Sequence, residues 1–196
     1  MIYLENFVDK SACVKLLGEM FTRKELASTN IDNQFSPRVF SQEENIYFSN
    51  ILFSEQAVGV LKTLIHSMEN IYGVKTTQEF SDKIPTFSFY EHGGFLGPHS
   101  DVYGKDAEPC LSFVIYINDS YEGGNLLLYE NQVNETSFNR ESQDTGYLIR
   151  PNLVSKIRPP AGSVIAFSPN LFHEAEPVTL GEKYISTIVL PCRELI

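Results

Sequence analysis

His99 and Asp101 stand two residues apart in the run Pro98-His99-Ser100-Asp101. On an extended segment, side chains two apart project to the same side. The pair therefore offers one imidazole nitrogen and one carboxylate oxygen to a single divalent cation. Two protein ligands hold an ion poorly, and the obvious third donor is His173, in Asn170-Leu171-Phe172-His173-Glu174. Two imidazoles and a carboxylate on one face of an ion, with the other face open, suit Fe(II). A lone His-x-Asp is common by chance and otherwise marks a solvated loop. The chain must then be read for its capacity to bring His173 back to His99 and Asp101.

Bulk properties narrow the setting. A chain of 196 residues suits one domain, spanning 1–196, with a single core. Hydrophobic residues make up 42% and charged residues 20%, the profile of a globular protein rather than a disordered one. The net charge of −10, with no Lys/Arg cluster, repels phosphate backbones and anionic membranes. No apolar run reaches the length of a membrane span. Met1-Ile2-Tyr3-Leu4-Glu5 lacks the basic and apolar regions of a signal peptide. Cys13, Cys110 and Cys192 are odd in number and far apart, so they read as free thiols of a reducing compartment. A cytoplasmic protein is the expectation.

The elements that must position the donors follow from pattern. A helix is expected after Asn6-Phe7-Val8-Asp9-Lys10-Ser11, capped by Asp9 or Ser11, with Val14, Leu16, Leu17 and Met20 as its apolar face. Residues 24–50 read as polar and irregular, broken at Ser36-Pro37-Arg38. A stronger helix runs from Ser54 to Tyr72. Ala57, Leu61, Leu64, Met68 and Ile71 recur at three and four, Val58, Ile65 and Tyr72 widen the face, and Gly73 stops it. His66 lies in this helix as a surface or core-edge residue. From Pro85 the pattern becomes that of strands: Thr86–Tyr90, Cys110–Asn118, Leu126–Tyr129, Lys156–Arg158, Ser163–Phe167 and Tyr184–Leu190. Turns fall at Asn118-Asp119-Ser120, Glu122-Gly123-Gly124-Asn125 and Pro159-Pro160-Ala161-Gly162. Helices followed by seven or eight short strands imply a mainly β fold, a jelly roll backed by N-terminal helices. The helical support region is 1–84 and the β core 85–193.

The ordered pieces from Tyr90 to Leu190 resemble the 2-oxoglutarate and Fe(II)-dependent dioxygenases, in their prolyl 4-hydroxylase-like branch. The pieces are Tyr90-Glu91-His92-Gly93-Gly94, Pro98-His99-Ser100-Asp101, Tyr116-Ile117-Asn118 and Glu122-Gly123-Gly124-Asn125-Leu126. Pro160-Ala161-Gly162, Phe172-His173-Glu174 leading to Pro177-Val178, and Gly181-Glu182-Lys183-Tyr184 complete the series. They span roughly half the chain. The resemblance implies a double-stranded β-helix and assigns the iron ligands to His99, Asp101 and His173.

It also implies that a basic residue ten after the distal histidine binds the far carboxylate of 2-oxoglutarate, and residue 183 is Lys183. Arg is common there in the family and Lys also occurs. A lysine is a compact charge without a planar fork, so a hydroxyl or water must complete the carboxylate's hydrogen bonding. Tyr90 is the first choice and Ser112 the second. With Fe(II), 2-oxoglutarate and O2 bound, such enzymes release succinate and CO2 and hydroxylate a C–H bond, with ascorbate as a possible reductant. Relatives that halogenate lack the carboxylate ligand, so Asp101 favours hydroxylation. His92 reads as a solvated turn residue, Gly123-Gly124 as a tight turn, and Glu174 and Glu176 as flanking acids that orient a ligand or face solvent.

Substrate class is set by family and charge. Nucleic-acid demethylases of the superfamily carry a further Arg six after the cosubstrate-binding residue, where this chain has Val189. A prolyl residue in a peptide or protein is the expected substrate, and a free amino acid or other small molecule the alternative. A non-enzymatic jelly-roll binding module would have no use for four aligned residues, and a cupin-type metalloenzyme would leave Lys183 idle. The polar segment Asn131–Asn152 is expected to act as a lid, with Tyr147 or Arg150 touching substrate.

Overall fold

The computed structural model describes residues 1–29, 35–101, 110–129, 153–168 and 171–194. In chain order the elements are β1 (Ile2–Leu4), α1 (Lys10–Thr22), β2 (Ser28–Thr29), β3 (Arg38–Val39), α2 (Gln42–Leu52), α3 (Glu55–Tyr72), β4 (Val74–Thr76), β5 (Thr86–Tyr90) and β6 (Leu96–His99). Then come β7 (Cys110–Tyr116), β8 (Tyr121–Gly123), β9 (Leu126–Tyr129), β10 (Leu153–Ile157), β11 (Val164–Phe167), β12 (His173–Ala175), β13 (Val178–Gly181) and β14 (Lys183–Glu194).

The major sheet runs β1-β11-β7-β14-β5-β3-β2, with β4 added beside β14. The minor sheet runs β10-β9-β12-β6, and β13 pairs with β8. The two sheets face one another across Tyr90, Tyr116, Leu126, Leu128, Ile165, Phe167, Ala175 and Ile185, which pack as one cluster. This is the double-stranded β-helix expected from the sequence.

Strand periodicity separates two cores. On β7, Leu111, Phe113 and Ile115 face the helices, while Tyr116 faces the minor sheet. On β11, Val164 and Ala166 face the helices and Ile165 and Phe167 the interior of the barrel. Helix α3 covers the outer face with Ala57, Leu61, Leu64, Ile65 and Met68. Its Ser54 side chain accepts from Ala57 N–H at 3.2 Å, and Gly73 ends it at φ +62°. Full burial of each large apolar side chain here contributes about 1.5–3 kcal/mol, so the helices stiffen the sheet that carries part of the site. Among the described residues, no helix is long and apolar enough to cross a membrane.

Several expectations need correction. Val14 is 71% exposed and Ile71 60%, because α1 and α3 each bury a narrower stripe than their apolar residues suggest. Asp9 occupies the N-cap of α1 without a side-chain capping bond. The described residues of 24–50 are not irregular: they hold β2, β3 and most of α2. The Ser41 side chain caps α2 by accepting from Glu44 N–H, the Ser-x-x-Glu signature. The helix buries Asn45 beside Phe48 and Leu52, and Asn45 Oδ1 accepts from Phe87 N–H at 3.1 Å. That polar anchor hid its apolar stripe. After Pro85 the described residues hold ten strands, β5 to β14, and not seven or eight, since strands as short as three residues arise from pairing and leave no periodic signal.

The Gly123-Gly124 turn is conformational, as expected. Gly123 has φ +68°, and a Cβ there would lie 2.3 Å from the Pro177 carbonyl oxygen. Gly123→Ala is expected to lower stability by about 2 kcal/mol or more, read as a lower urea midpoint with unchanged slope.

Candidate active site

The strand pairing of β6 with β12 sets His99 directly opposite His173. Directly paired residues share a face, so both imidazoles enter the barrel, with ring centroids 4.2 Å apart. The ladder shifts register between His173 and Ala175, leaving one extra residue on β6. Pro98, which has no N–H to donate, is tolerated because β6 is the edge of the minor sheet. Each histidine places Nδ1 against a backbone carbonyl two residues upstream, Gly97 at 2.7 Å and Leu171 at 2.9 Å. A carbonyl only accepts, so Nδ1 carries the proton and Nε2 presents its lone pair.

Asp101 lies in a bend two residues beyond β6. Its Oδ1 is 3.7 Å from His99 Nε2 and 3.9 Å from His173 Nε2. One donor atom from each of the three residues falls within 4.8 Å of the others. Burial lowers the pKa of His173, partly offset by Asp101, which favours the neutral imidazole that a metal requires. Two imidazoles and one carboxylate that converge on a common point fit a ferrous ion.

A second polar group lies in the same barrel. Lys183 opens β14, pairs with Tyr90 of β5, and is only 2% exposed. Its ammonium donates to the Gly124 carbonyl at 2.7 Å and sits 5.1 Å and 5.3 Å from the ring centres of Tyr90 and Tyr116. Burial pulls its pKa down from 10.5 to about 7. The same burial pushes the Tyr90 and Tyr116 phenols up, so both stay neutral. Gly124 lets this happen, because a Cβ there would press on Lys183 Cδ at 3.2 Å.

Neighbouring residues fix the backbone on either side of Lys183. Buried Asn118 donates to the Glu182 carbonyl and accepts from Tyr184 N–H, both at 2.8 Å. Lys24 pairs with Glu182 and, at 3.0 Å, with Glu91, so one cation ties the residues flanking Lys183 and Tyr90. Sequence reading gave neither residue a role. The buried Asn that ends an apolar strand in Tyr116-Ile117-Asn118 was the available signal; Lys24 left none.

Ser112 is not where the sequence reading put it. Its hydroxyl donates to Asp101 Oδ2 and not toward Lys183. Ser112 and Tyr116 face the same side of β7 but stand four residues apart, about 13 Å along a strand. Tyr90 does lie beside Lys183. His66 and His92 are exposed. Glu174 is buried and accepts from the Tyr129 hydroxyl at 2.5 Å, whereas Glu176 meets Asn125 at 2.5 Å and Lys156 at 2.8 Å. Tyr147, Arg150 and the whole of the expected lid, residues 131–152, lie outside the described residues.

The 2OG-Fe(II) oxygenase superfamily model matches residues 85–190, more than half of the chain. The chain belongs to that superfamily. Among solved structures it is similar to a Pseudomonas putida prolyl-4-hydroxylase, with 16% identity and a TM-score of 0.63 over 98% of this chain and 92% of that one. A Trichoplax adhaerens prolyl hydroxylase, solved with a hypoxia inducible factor oxygen degradation domain peptide, gives 16% and 0.63 over 97% and 82%. A viral collagen prolyl hydroxylase of Paramecium Bursaria Chlorella virus-1, solved with 2-oxoglutarate, gives 13% and 0.57 over 100% and 96%. At these identities the likeness is one of fold. No curated protein matches the sequence.

The depressed pKa of Lys183 has a stability consequence. Between about 7 and 10.5 the unfolded chain holds a proton that the native lysine lacks, so this group adds stability as pH rises through that window. Lys183→Met is expected to melt higher than the parent. The gap should be widest at or below pH 7 and shrink toward pH 10 in paired thermal melts.

Proposed function

We propose that this dioxygenase binds one Fe(II) through His99, Asp101 and His173, anchors 2-oxoglutarate on Lys183, and hydroxylates a prolyl residue of a peptide or protein. The observation that carries the reading is the convergence of three donor atoms within 4.8 Å. The superfamily implies Fe(II), 2-oxoglutarate and O2. Bound iron supplies the coupling of 2-oxoglutarate decarboxylation to oxidation of a substrate C–H bond. The chain's own residues bind and orient. Lys183 offers a charge to the far carboxylate, and the Tyr90 hydroxyl, brought beside it by strand pairing, is the group to complete its hydrogen bonding. The Nδ1 bonds of both histidines hold the Nε2 lone pairs toward the ion. The prolyl assignment draws on the similar structures, one of which holds a peptide. The net charge of −10 disfavours nucleic acid. In this reading residues 1–84 brace the oxygenase core, 85–193.

His99→Ala and His173→Ala are expected to abolish Mn(II) binding, with Mn(II) as an inert substitute for iron, while circular dichroism stays unchanged. Undiminished binding in both would remove the metal assignment. Substrate class is tested by succinate formation with proline-containing peptides against free amino acids; stimulation by amino acids alone would favour the small-molecule alternative.

Cosubstrate binding should be linked to protons. A carboxylate beside Lys183 raises its pKa, so binding above pH 7 takes up a proton. The affinity for 2-oxoglutarate is then flat below about pH 7 and weakens as pH rises. Calorimetry in buffers of different ionisation enthalpy reads the uptake directly. Lys183→Ala should abolish the uptake and raise the 2-oxoglutarate requirement strongly, since a buried carboxylate loses its countercharge.

A further inference from the structure

Asp101 is the member of the triad that lies outside the strands. His99 ends β6, His173 opens β12, and their backbones pair. Asp101 stands in the bend beyond β6, on the minor-sheet side. Ser112 reaches it from β7 of the major sheet, so the bond from Ser112 Oγ to Asp101 Oδ2 spans the two sheets. Ser112 is fully buried and pairs with Val189 on one side and Phe167 on the other. Phe167 in turn lies against the His173 ring, with centroids 4.6 Å apart. Ser112 is thus part of the wall behind the three donors.

The two oxygens of Asp101 are therefore unequal. Oδ1 faces both Nε2 atoms, and Oδ2 accepts the serine proton. We propose that Ser112 is a positioning residue that commits Oδ2 of Asp101 to the protein and leaves Oδ1 alone to face the metal. This rests on the iron-centre reading above. The bond fixes the rotation of the carboxylate in the metal-free chain, so an ion held here would meet an oxygen already aimed with the two Nε2 atoms and would not have to order it.

Ser112→Thr and Ser112→Val provide the test, because the two replacements share one shape and differ only in the hydroxyl. Mn(II) affinity is read from the free-ion EPR signal of the full chain without 2-oxoglutarate, beside thermal melts. The Thr variant is expected to bind as the wild type does. The Val variant is expected to bind about 10–100-fold more weakly. Equal Mn(II) affinity in Thr and Val overturns the role of Ser112 and leaves the triad standing. A wild-type chain that binds no Mn(II) overturns the iron-centre reading itself, so the two failures are distinguishable.

Discussion

The pairing of β6 with β12 is the constraint on which the site depends. It joins residues 99 and 173, far apart in the chain, and puts their side chains on one face. A slip of one residue would turn His173 out of the barrel and Glu174 into it. The register is pinned from both sides. Leu128 on β9 pairs with His173, and Leu126 with Ala175, so the apolar contacts of the barrel interior and the placement of the imidazole are satisfied together. The extra residue on β6 is absorbed at an edge, where a proline costs no ladder bond.

Lys183 is a second constraint of a different kind. A buried ammonium with its pKa near 7 works against folding at neutral pH. The surroundings offset part of that cost with one carbonyl and two aromatic faces. They also prevent the lysine from leaving: Asn118 bonds to the backbone at residues 182 and 184, and β5 holds the strand from the other side. Such a residue is better explained by a ligand than by stability, which is why its burial supports the cosubstrate reading more than its sequence position does.

The helices act at a distance. Their apolar stripes cover the outer face of the major sheet, whose inner face carries Tyr90, Ser112, Tyr116 and Lys183. Because side chains alternate along each strand, every inward group has outward neighbours locked in the helical core. On β14, Lys183 and Ile185 point inward, between them Tyr184 packs against the helices and stacks on Phe89 at 5.3 Å. Rigidity gained on one face is thereby transmitted to the other.

Chemistry that depends on residue type and short spacing was legible in the sequence. His99 and Asp101 announce themselves two apart, α3 shows its stripe and its Gly73 stop, and Gly123-Gly124 marks a turn whose Gly123 admits no Cβ. His173 stood out as the obvious third donor, and the resemblance assigned it to the iron and supplied Lys183. Tertiary structure decided what no local pattern encodes. Strands as short as β2 and β12 exist only because a partner offers its backbone, and α2 is held by a buried asparagine that blurs its periodicity. The role of Ser112 is the plainest case. Alternation along β7 puts it on the same face as Tyr116, so sequence could not say which end of the barrel it serves. That was fixed by which residue stands across from it, and sheet-to-sheet contacts between residues distant in sequence are set by packing alone.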